Sequence, residues 1–160
     1  MEPVYSVHAS EAEYRNSCDI VLRRAEREIL LFDRDLSKLR LDETERLELL
    51  ANFLAGDGRR SLRMVLHDPD PLRQRAPRLL QLLGRHSHLC EIRQTPDNLT
   101  HLADAQILAD GIHGVRRLQY DQPRSTLILD DPAAIGPWVQ RFEDLWAKSH
   151  PCLSVNTTGL

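Results

Sequence analysis

A chain of 160 residues, 41% of them hydrophobic and 28% charged, is long enough to bury a core of its own and predicts one globular domain over residues 1–150. A formal net charge of −3 and a pI near 6.2 give the chain as a whole no electrostatic reason to bind nucleic acid or an anionic membrane. Residues 151–160 are polar and lack periodicity, which predicts a flexible C-terminal tail.

The cysteines and the N-terminus exclude further classes of protein. The 3 cysteines are widely spaced and form no C-x-x-C pair, so neither a disulfide framework nor a zinc site is predicted. No apolar run approaches the ~18 residues of a membrane span, and Met1 to Ala9 lacks the basic and apolar regions of a signal peptide. We expect a cytoplasmic protein without a cofactor.

The first half of the chain alternates helix and strand signals. Ser10-Glu11-Ala12-Glu13 and Asp42-Glu43-Thr44-Glu45 have the form of capping boxes, and each predicts that a helix follows. Between the two helices, the apolar run from Glu28 to Phe32 predicts a central strand. Arg59 to Asp68 predicts a second strand, which the intervening helix would place parallel to the first.

The middle of the chain continues this pattern. Asp70-Pro71 predicts another helix start, and Pro77 predicts a kink or a later start. Leu89 to Gln94 predicts a third strand. Further on, Gly114 to Gln119 and Ser125 to Leu129 predict antiparallel strands, because a loop rich in Asp and Pro residues joins them.

Aromatic residues dominate the last predicted helix. Asp130-Asp131-Pro132 can begin a helical turn, and Pro137 is predicted to mark the first turn of the main helix. The apolar residues that follow recur at the spacing of one helix face: Trp138, Val139, Phe142, Leu145 and Trp146. Because this spacing is typical of a buried face, we interpret the stripe as core packing and not as a ligand site.

The most informative motif lies on a strand predicted over Ala103 to Gly111. This strand ends in Asp110-Gly111. Together with the order of elements, the domain size and the closing Phe142-Glu143-Asp144-Leu145-Trp146, it resembles one domain of the phospholipase D superfamily. The resemblance implies an α/β fold in a single domain, with a mixed β-sheet flanked by helices as an α/β/α sandwich. When the family's H-x-K-x4-D motif is placed with its Asp on Asp110, the His position is Ala103 and the Lys position is Ala105.

The resemblance also implies a chemistry that this motif cannot perform. In the family the histidine attacks phosphorus and lysines neutralise the phosphate oxygens, whereas Ala103 and Ala105 can do neither. The family's downstream G-S-x-N element is missing as well, because Arg116 to Leu129 contains neither its glycine nor its asparagine. We therefore expect a domain with a degenerate motif and no hydrolase activity, which serves as a binding or interaction module with a vestigial phosphate pocket.

A divergent phosphodiesterase or hydrolase is the alternative. A slide of the register by two residues makes His101 the nucleophile and keeps each side chain on its face of the strand. In that register the lysine position is Ala103 and the acid position is Leu108, so we favour the first register. His67, at the end of a predicted strand, is the other candidate. The alternative is thus a hydrolase that uses His67 or His101 with Asp110.

We expect the residues of the vestigial pocket at the ends of the strands, where ligands of open α/β sheets bind. They are Asp33, Asp35, His67, Arg93, Ala103, Ala105, Asp110 and Arg117. Carboxylates converging there, with Asp104 among them, could hold a divalent metal. Because Asp is common in turns and helix caps, we assign no metal.

The sequence leaves open the orientation of two adjacent arginines and the identity of the partners. Alternation turns Arg116 and Arg117 to opposite faces, and the sequence does not say which of them faces the pocket. The inward arginine would hold a phosphate or carboxylate bidentately, or would pair with Asp104 or Asp110. The implied partners are a second copy of the chain, because active family members pair two motif-bearing domains, and a phosphorylated ligand or a protein.

Overall fold

The computed structural model of the protein describes residues 2–153. Within that range the chain forms eight strands and five α-helices. The strands are β1 (Val4–His8), β2 (Glu28–Asp33), β3 (Ser61–Leu66), β4 (Cys90–Gln94), β5 (Ala105–Ala109), β6 (His113–Arg117), β7 (Ser125–Leu129) and β8 (His150–Leu153). The helices are α1 (Glu11–Arg24), α2 (Thr44–Leu54), α3 (Asp70–Arg75), α4 (Pro77–Arg85) and α5 (Pro132–Lys148).

All the strands belong to one mixed sheet, in the order β1-β7-β6-β5-β2-β3-β4-β8. Strands β2, β3 and β4 are parallel, as the helical crossovers between them predict. The strands on either side of this group run antiparallel to their neighbours. As expected, β2 is central, with β3 on one side and β5 on the other.

Helices cover both faces of the sheet, so the predicted α/β/α sandwich in a single domain is confirmed. On one face, α1, α2, α3 and α4 bury the larger core, to which β2 contributes Ile29 and Leu31. On the other face, α5 buries a smaller core that includes Leu30 and Phe32. Because both faces of β2 are buried, its sequence is a continuous apolar run and does not alternate.

The helix starts show where local sequence signals sufficed. Helix α1 begins as predicted, with the Ser10 Oγ accepting from Glu13 N at 3.1 Å. The capping box predicted for α2 is wrong, because Glu43 is the N-cap residue and makes no side-chain cap bond. Asp42 instead accepts from Leu79 N at 2.9 Å in the first turn of α4. A carboxylate in a loop can cap any helix whose N-terminus lies within reach.

Two prolines act differently from one another. Pro77 begins a new helix, so the region divides into α3 and α4. Pro137 was predicted to mark the first turn of the main helix, but it lies inside α5. That helix begins at Pro132, after Asp131 accepts from Ala134 N at 3.1 Å. The aromatic stripe of α5 packs in the core as predicted.

The two edge strands, β1 and β8, were not predicted from the sequence. Strand β1 exposes Val4, Tyr5 and Val7 to solvent, and β8 contains Pro151. The predicted flexible tail therefore starts within a strand, because residues 151–153 belong to β8 and pair with β4. The rest of that predicted tail, residues 154–160, lies outside the described residues. Among the helices in the described range, none has the length and apolar character required to span a bilayer.

Candidate functional site

Strands end and loops begin at two sides of the sheet. We call these sides edges, and they are distinct from the edge strands β1 and β8. We call the first the Asp33 edge; there β2 and β6 end at Asp33 and Arg117, while the antiparallel strand β5 begins at Ala105. We call the second the Asp110 edge; there β5 ends and β2 begins at Glu28. The predicted pocket residues divide between these two edges.

Ala103 and Ala105 lie at the Asp33 edge. Ala105 is 1% exposed and stands directly opposite Arg117 in the register of β5 and β6. Ala103 precedes the strand, and its carbonyl oxygen accepts a hydrogen bond from Tyr120 N at 2.6 Å. Neither side chain offers a nucleophile, an acid or a positive charge.

Arg117 is the arginine that turns towards this site, and its guanidinium is fully engaged. Its side chain is 1% exposed, and Nη1 and Nη2 donate to the two carboxylate oxygens of Glu11 at 2.7 and 3.0 Å. Nη2 also donates to the carbonyl oxygens of Tyr120 and Gln122 at 2.8 and 2.7 Å. The guanidinium lies 4.7 Å from the ring centroid of Tyr14. The hydrogen bond from Arg117 lowers the pKa of Glu11, so the carboxylate stays ionised opposite it.

Tyr120 links the loops at the Asp33 edge. Its hydroxyl hydrogen-bonds with the Ser37 Oγ at 2.8 Å and donates to the Asp35 Oδ1 at 3.1 Å. Lys38 Nζ donates to the Tyr120 carbonyl oxygen at 2.8 Å. The guanidinium of Arg34 lies 4.0 Å from the centroid of the same ring. These contacts join the β6–β7 loop to the loop after β2, and the bond from Tyr120 N joins it to Ala103, just before β5.

Asp33 is buried beneath these loops. Burial raises its pKa to about 6, against backbone hydrogen bonds from Arg34 and Leu36 that favour the carboxylate. The bond from Leu36 N to the Asp33 Oδ2 measures 3.0 Å. Leu36 has a φ of 69°, a conformation that is costly for a side chain other than glycine, asparagine or aspartate. Asp33 thus anchors a strained turn.

His67 is held by two internal contacts. Its Nδ1 lies 2.6 Å from the Thr95 Oγ1 and its Nε2 lies 2.9 Å from the Leu102 carbonyl oxygen. A carbonyl oxygen only accepts, so Nε2 carries the proton and the neutral Nδ1 accepts from the Thr95 hydroxyl. Burial lowers the pKa of His67 and favours this neutral form. The ring also packs edge-on against Phe32. His101, in contrast, is exposed.

Asp110 lies at the opposite edge from Asp33, and this corrects the predicted grouping. Strand β5 runs antiparallel to β2, so the end of β5 meets the start of β2. The Asp110 carboxylate accepts backbone hydrogen bonds from Glu26, Arg27 and Glu28, each at 2.9 Å. Its role in the structure is to hold the connection between α1 and β2.

Arg93 and Arg116 face α5 and do not reach the site. Arg93 donates from Nε to Glu91 at 2.8 Å and from Nη1 to the Trp146 carbonyl oxygen at 3.0 Å. Arg116 reaches the Asp104 carboxylate at 3.4 Å, which Arg141 also binds at 2.6 Å. The sequence analysis offered a pair with Asp104 or Asp110 for the arginine that faces the pocket, but that arginine, Arg117, pairs with Glu11, and Asp104 pairs with the outward Arg116.

The structure therefore brings together only part of the predicted set. Asp33, Asp35, Ala103, Ala105 and Arg117 meet at the Asp33 edge, with His67 at the end of the neighbouring strand β3. No local sequence pattern indicated the residues that engage them, namely Glu11, Ser37, Lys38 and Tyr120. Within residues 2–153, no group of three or more His, Cys, Asp or Glu side chains is placed to hold a metal ion.

Solved structures share this fold. Nuc from Salmonella typhimurium, a phospholipase D family member, is 11% identical with a TM-score of 0.66, and the match covers 96% of this chain and 100% of that one. NucT from Helicobacter pylori is 8% identical with a TM-score of 0.61, over 94% of this chain and 100% of that one. These similarities establish the phospholipase D-like fold and nothing about activity.

A third similar structure is TrmBL2, described as an archaeal chromatin protein with a novel mode of DNA binding. It is 14% identical with a TM-score of 0.67, and the match covers 92% of this chain. The chain spans about half of the TrmBL2 chain, 54% of its length.

No curated protein matches the sequence. A family model described as a domain of unknown function, DUF7931, matches residues 10–157.

Proposed function

The chain belongs to the DUF7931 family, and we propose that it is a phospholipase D-like domain without hydrolase activity that serves as a binding or interaction module. The observation that carries the proposal is the pair Ala103 and Ala105 at the positions where the superfamily motif has its nucleophile and its phosphate clamp. An alanine side chain can neither attack phosphorus nor neutralise a phosphate oxygen.

The engagement of Arg117 supports this proposal. A phosphate clamp needs donors that are free to reach the ligand, but Glu11 and two backbone carbonyls already accept from this guanidinium. Exchanging those bonds for bonds to phosphate would leave the Glu11 carboxylate and the two carbonyl oxygens without the donors that they now share, which costs free energy. The vestigial pocket is thus closed by internal contacts, and binding would use another surface.

The geometry gives little support to the alternative of a divergent hydrolase. Both ring nitrogens of His67 are already engaged. Its proposed acid, Asp110, lies at the other edge of the sheet and accepts three backbone hydrogen bonds. A general base must be within hydrogen-bonding reach of its partner, and these two residues are separated by the length of a strand.

Hydrolysis of bis(p-nitrophenyl) phosphate and of DNA tests the proposal, with and without added divalent metal. We expect the purified protein, and its His67→Ala and His101→Ala variants, to release product at the rate of buffer alone. Turnover that chelation removes and that either substitution reduces would instead establish the hydrolase. Activity that all three proteins share equally would be assigned to a contaminant.

A second candidate function is nucleic-acid binding, for which TrmBL2 provides the precedent. The supporting observation is an open hollow of about 580 Å³ at the Asp110 edge, to which Arg27, Arg59 and Arg60 contribute. Within residues 2–153 none of the three forms an ion pair with a carboxylate. Exposed arginines bind phosphates in a salt-dependent manner. A gel-shift titration with duplex DNA tests this, and the Arg59→Glu/Arg60→Glu variant should lose any binding that the parent shows.

A further inference from the structure

A separate cavity of about 290 Å³ lies between the loop after β2 and the corner where α3 meets α4. Four leucines that line it are almost completely buried: Leu36, Leu41, Leu72 and Leu79. Arg40 and Arg75 also line it and are exposed, so they lie on its solvent side. The volume is near the lower limit for small-molecule sites, and an apolar interior with a few polar groups is their usual composition.

The walls of the cavity are fixed by contacts within the protein. The Asp42 carboxylate accepts from Leu79 N at 2.9 Å and ties the loop to α4. Arg78 adds a second tie, donating to the Thr44 Oγ1 at 3.2 Å. The loop itself carries Leu36 and Arg40 at φ values of 69° and 51°. Residues with a left-handed backbone conformation are strained and persist only where the surrounding structure fixes them, and such residues cluster at ligand sites.

The cavity is lined by two carboxylates and two guanidiniums, so its formal charges balance, and a preference for an anion depends on which of these groups lack internal partners. Asp35 and Asp42 are acidic, but their carboxylates already accept internal hydrogen bonds. Arg75 takes part in no ion pair or side-chain hydrogen bond with the described residues. Arg40 has only Glu43, at 3.5 Å, and Glu43 pairs more closely with another arginine, Arg46, at 2.9 Å. Two guanidiniums thus remain for a ligand.

We propose that this cavity binds a small amphiphile whose aliphatic chain lies among the leucines and whose anionic head, a carboxylate or a phosphate, is held by Arg40 and Arg75. Arginine binds both kinds of head through paired hydrogen bonds. The inference goes beyond the proposed function and does not depend on it, because neither Ala103 nor Ala105 lines the cavity.

Calorimetric titration of the full chain with octanoate and with octyl phosphate tests the proposal. We expect saturable binding of at least one of them at micromolar to millimolar concentration, and no saturable binding of n-octanol or octyltrimethylammonium. The Arg40→Gln/Arg75→Gln variant should bind at least about tenfold more weakly, the loss expected for charge-assisted hydrogen bonds. The matched control is Arg85→Gln/Arg124→Gln, which changes two exposed arginines away from the cavity and should bind like the parent.

A second variant, Ala76→Leu, adds volume at a residue that lines the cavity and should abolish binding while the protein remains folded by circular dichroism. The preferred head group is read from the ratio of the two affinities. The proposal is overturned if neither anion binds, if octanol binds as well as octanoate, or if both double variants weaken binding equally. Phosphodiester turnover would refute the proposed function and leave these results unaffected.

Discussion

The two ends of β5 have different roles in the structure. At the Asp110 end the acidic residue is present, and it organises three backbone amides of the α1–β2 connection. At the other end, Ala103 and Ala105 contribute no charged or polar side chain, and the Ala103 carbonyl oxygen accepts from Tyr120 N. One end of the strand is thus held by a carboxylate, and the other by backbone and loop contacts.

Under the proposed function, this difference is what a scaffold that persists without its activity would show. Backbone N–H groups in a tight connection need an acceptor, so replacing Asp110 would cost stability whether or not the protein is an enzyme. A nucleophile at Ala103 would contribute nothing to folding. Likeness of fold is therefore weak evidence for likeness of chemistry.

The largest expected effect comes from Asp110→Ala. Three N–H groups lose a charged acceptor, and alanine is strained at the φ of 58° that Asp110 adopts, so we expect a loss of about 3 kcal/mol in the free energy of unfolding. Urea denaturation measures it. Asp110→Asn keeps an acceptor and tolerates this φ, so it should lose less. A loss below about 1 kcal/mol for Asp110→Ala would contradict the structural role.

Asp33→Asn should have the next largest effect, and it should raise the free energy of unfolding. Burial raises the pKa of Asp33 to about 6, so the folded protein holds its proton over a range in which the unfolded chain has lost it. Stability should therefore fall as the pH rises from about 4 to about 6, and the substitution should restore about 2 kcal/mol above that range. Denaturation at pH 4 and pH 8 measures the difference. Equal effects at the two pH values would contradict the assignment.

Glu11→Gln should have the smallest effect of the three. The Glu11 side chain is 37% exposed, so solvent screens its pair with Arg117 and we expect a loss of about 1 kcal/mol at neutral pH. The pKa of Glu11 is lowered, so this contribution is present above the pKa of the unfolded chain and disappears as the pH falls through the folded value. Glu45→Gln, in the exposed first turn of α2, is the matched control. A loss that persists at pH 3 would contradict the ion pair.

The sequence predicted the elements that bury large apolar faces. Strand β2 and helix α5 were found because their apolar residues form a continuous run or a helical stripe. Strands β1 and β8 were missed because edge strands bury little, and the proline in β8 is unusual within a strand.

The contacts of the site were harder to predict than the fold. Glu11 and Arg117 are 106 residues apart, and no local pattern links them. Asp110 was grouped with Asp33 because the direction of β5 against β2 was not known. Reversing the direction of one strand moves its end residues to the opposite edge of the sheet. Predictions of a site therefore fail where the strand direction is not known.

The central claim is that internal contacts close the Asp33 edge against phosphate. Titration of the ¹⁵N-labelled protein with inorganic phosphate tests it directly, with the amide resonances of Ala105, Arg117 and Tyr120 as reporters. We predict no saturable shift at these three positions up to millimolar phosphate. Saturable shifts at all three that Arg117→Gln abolishes would contradict the claim and restore the pocket as a phosphate site.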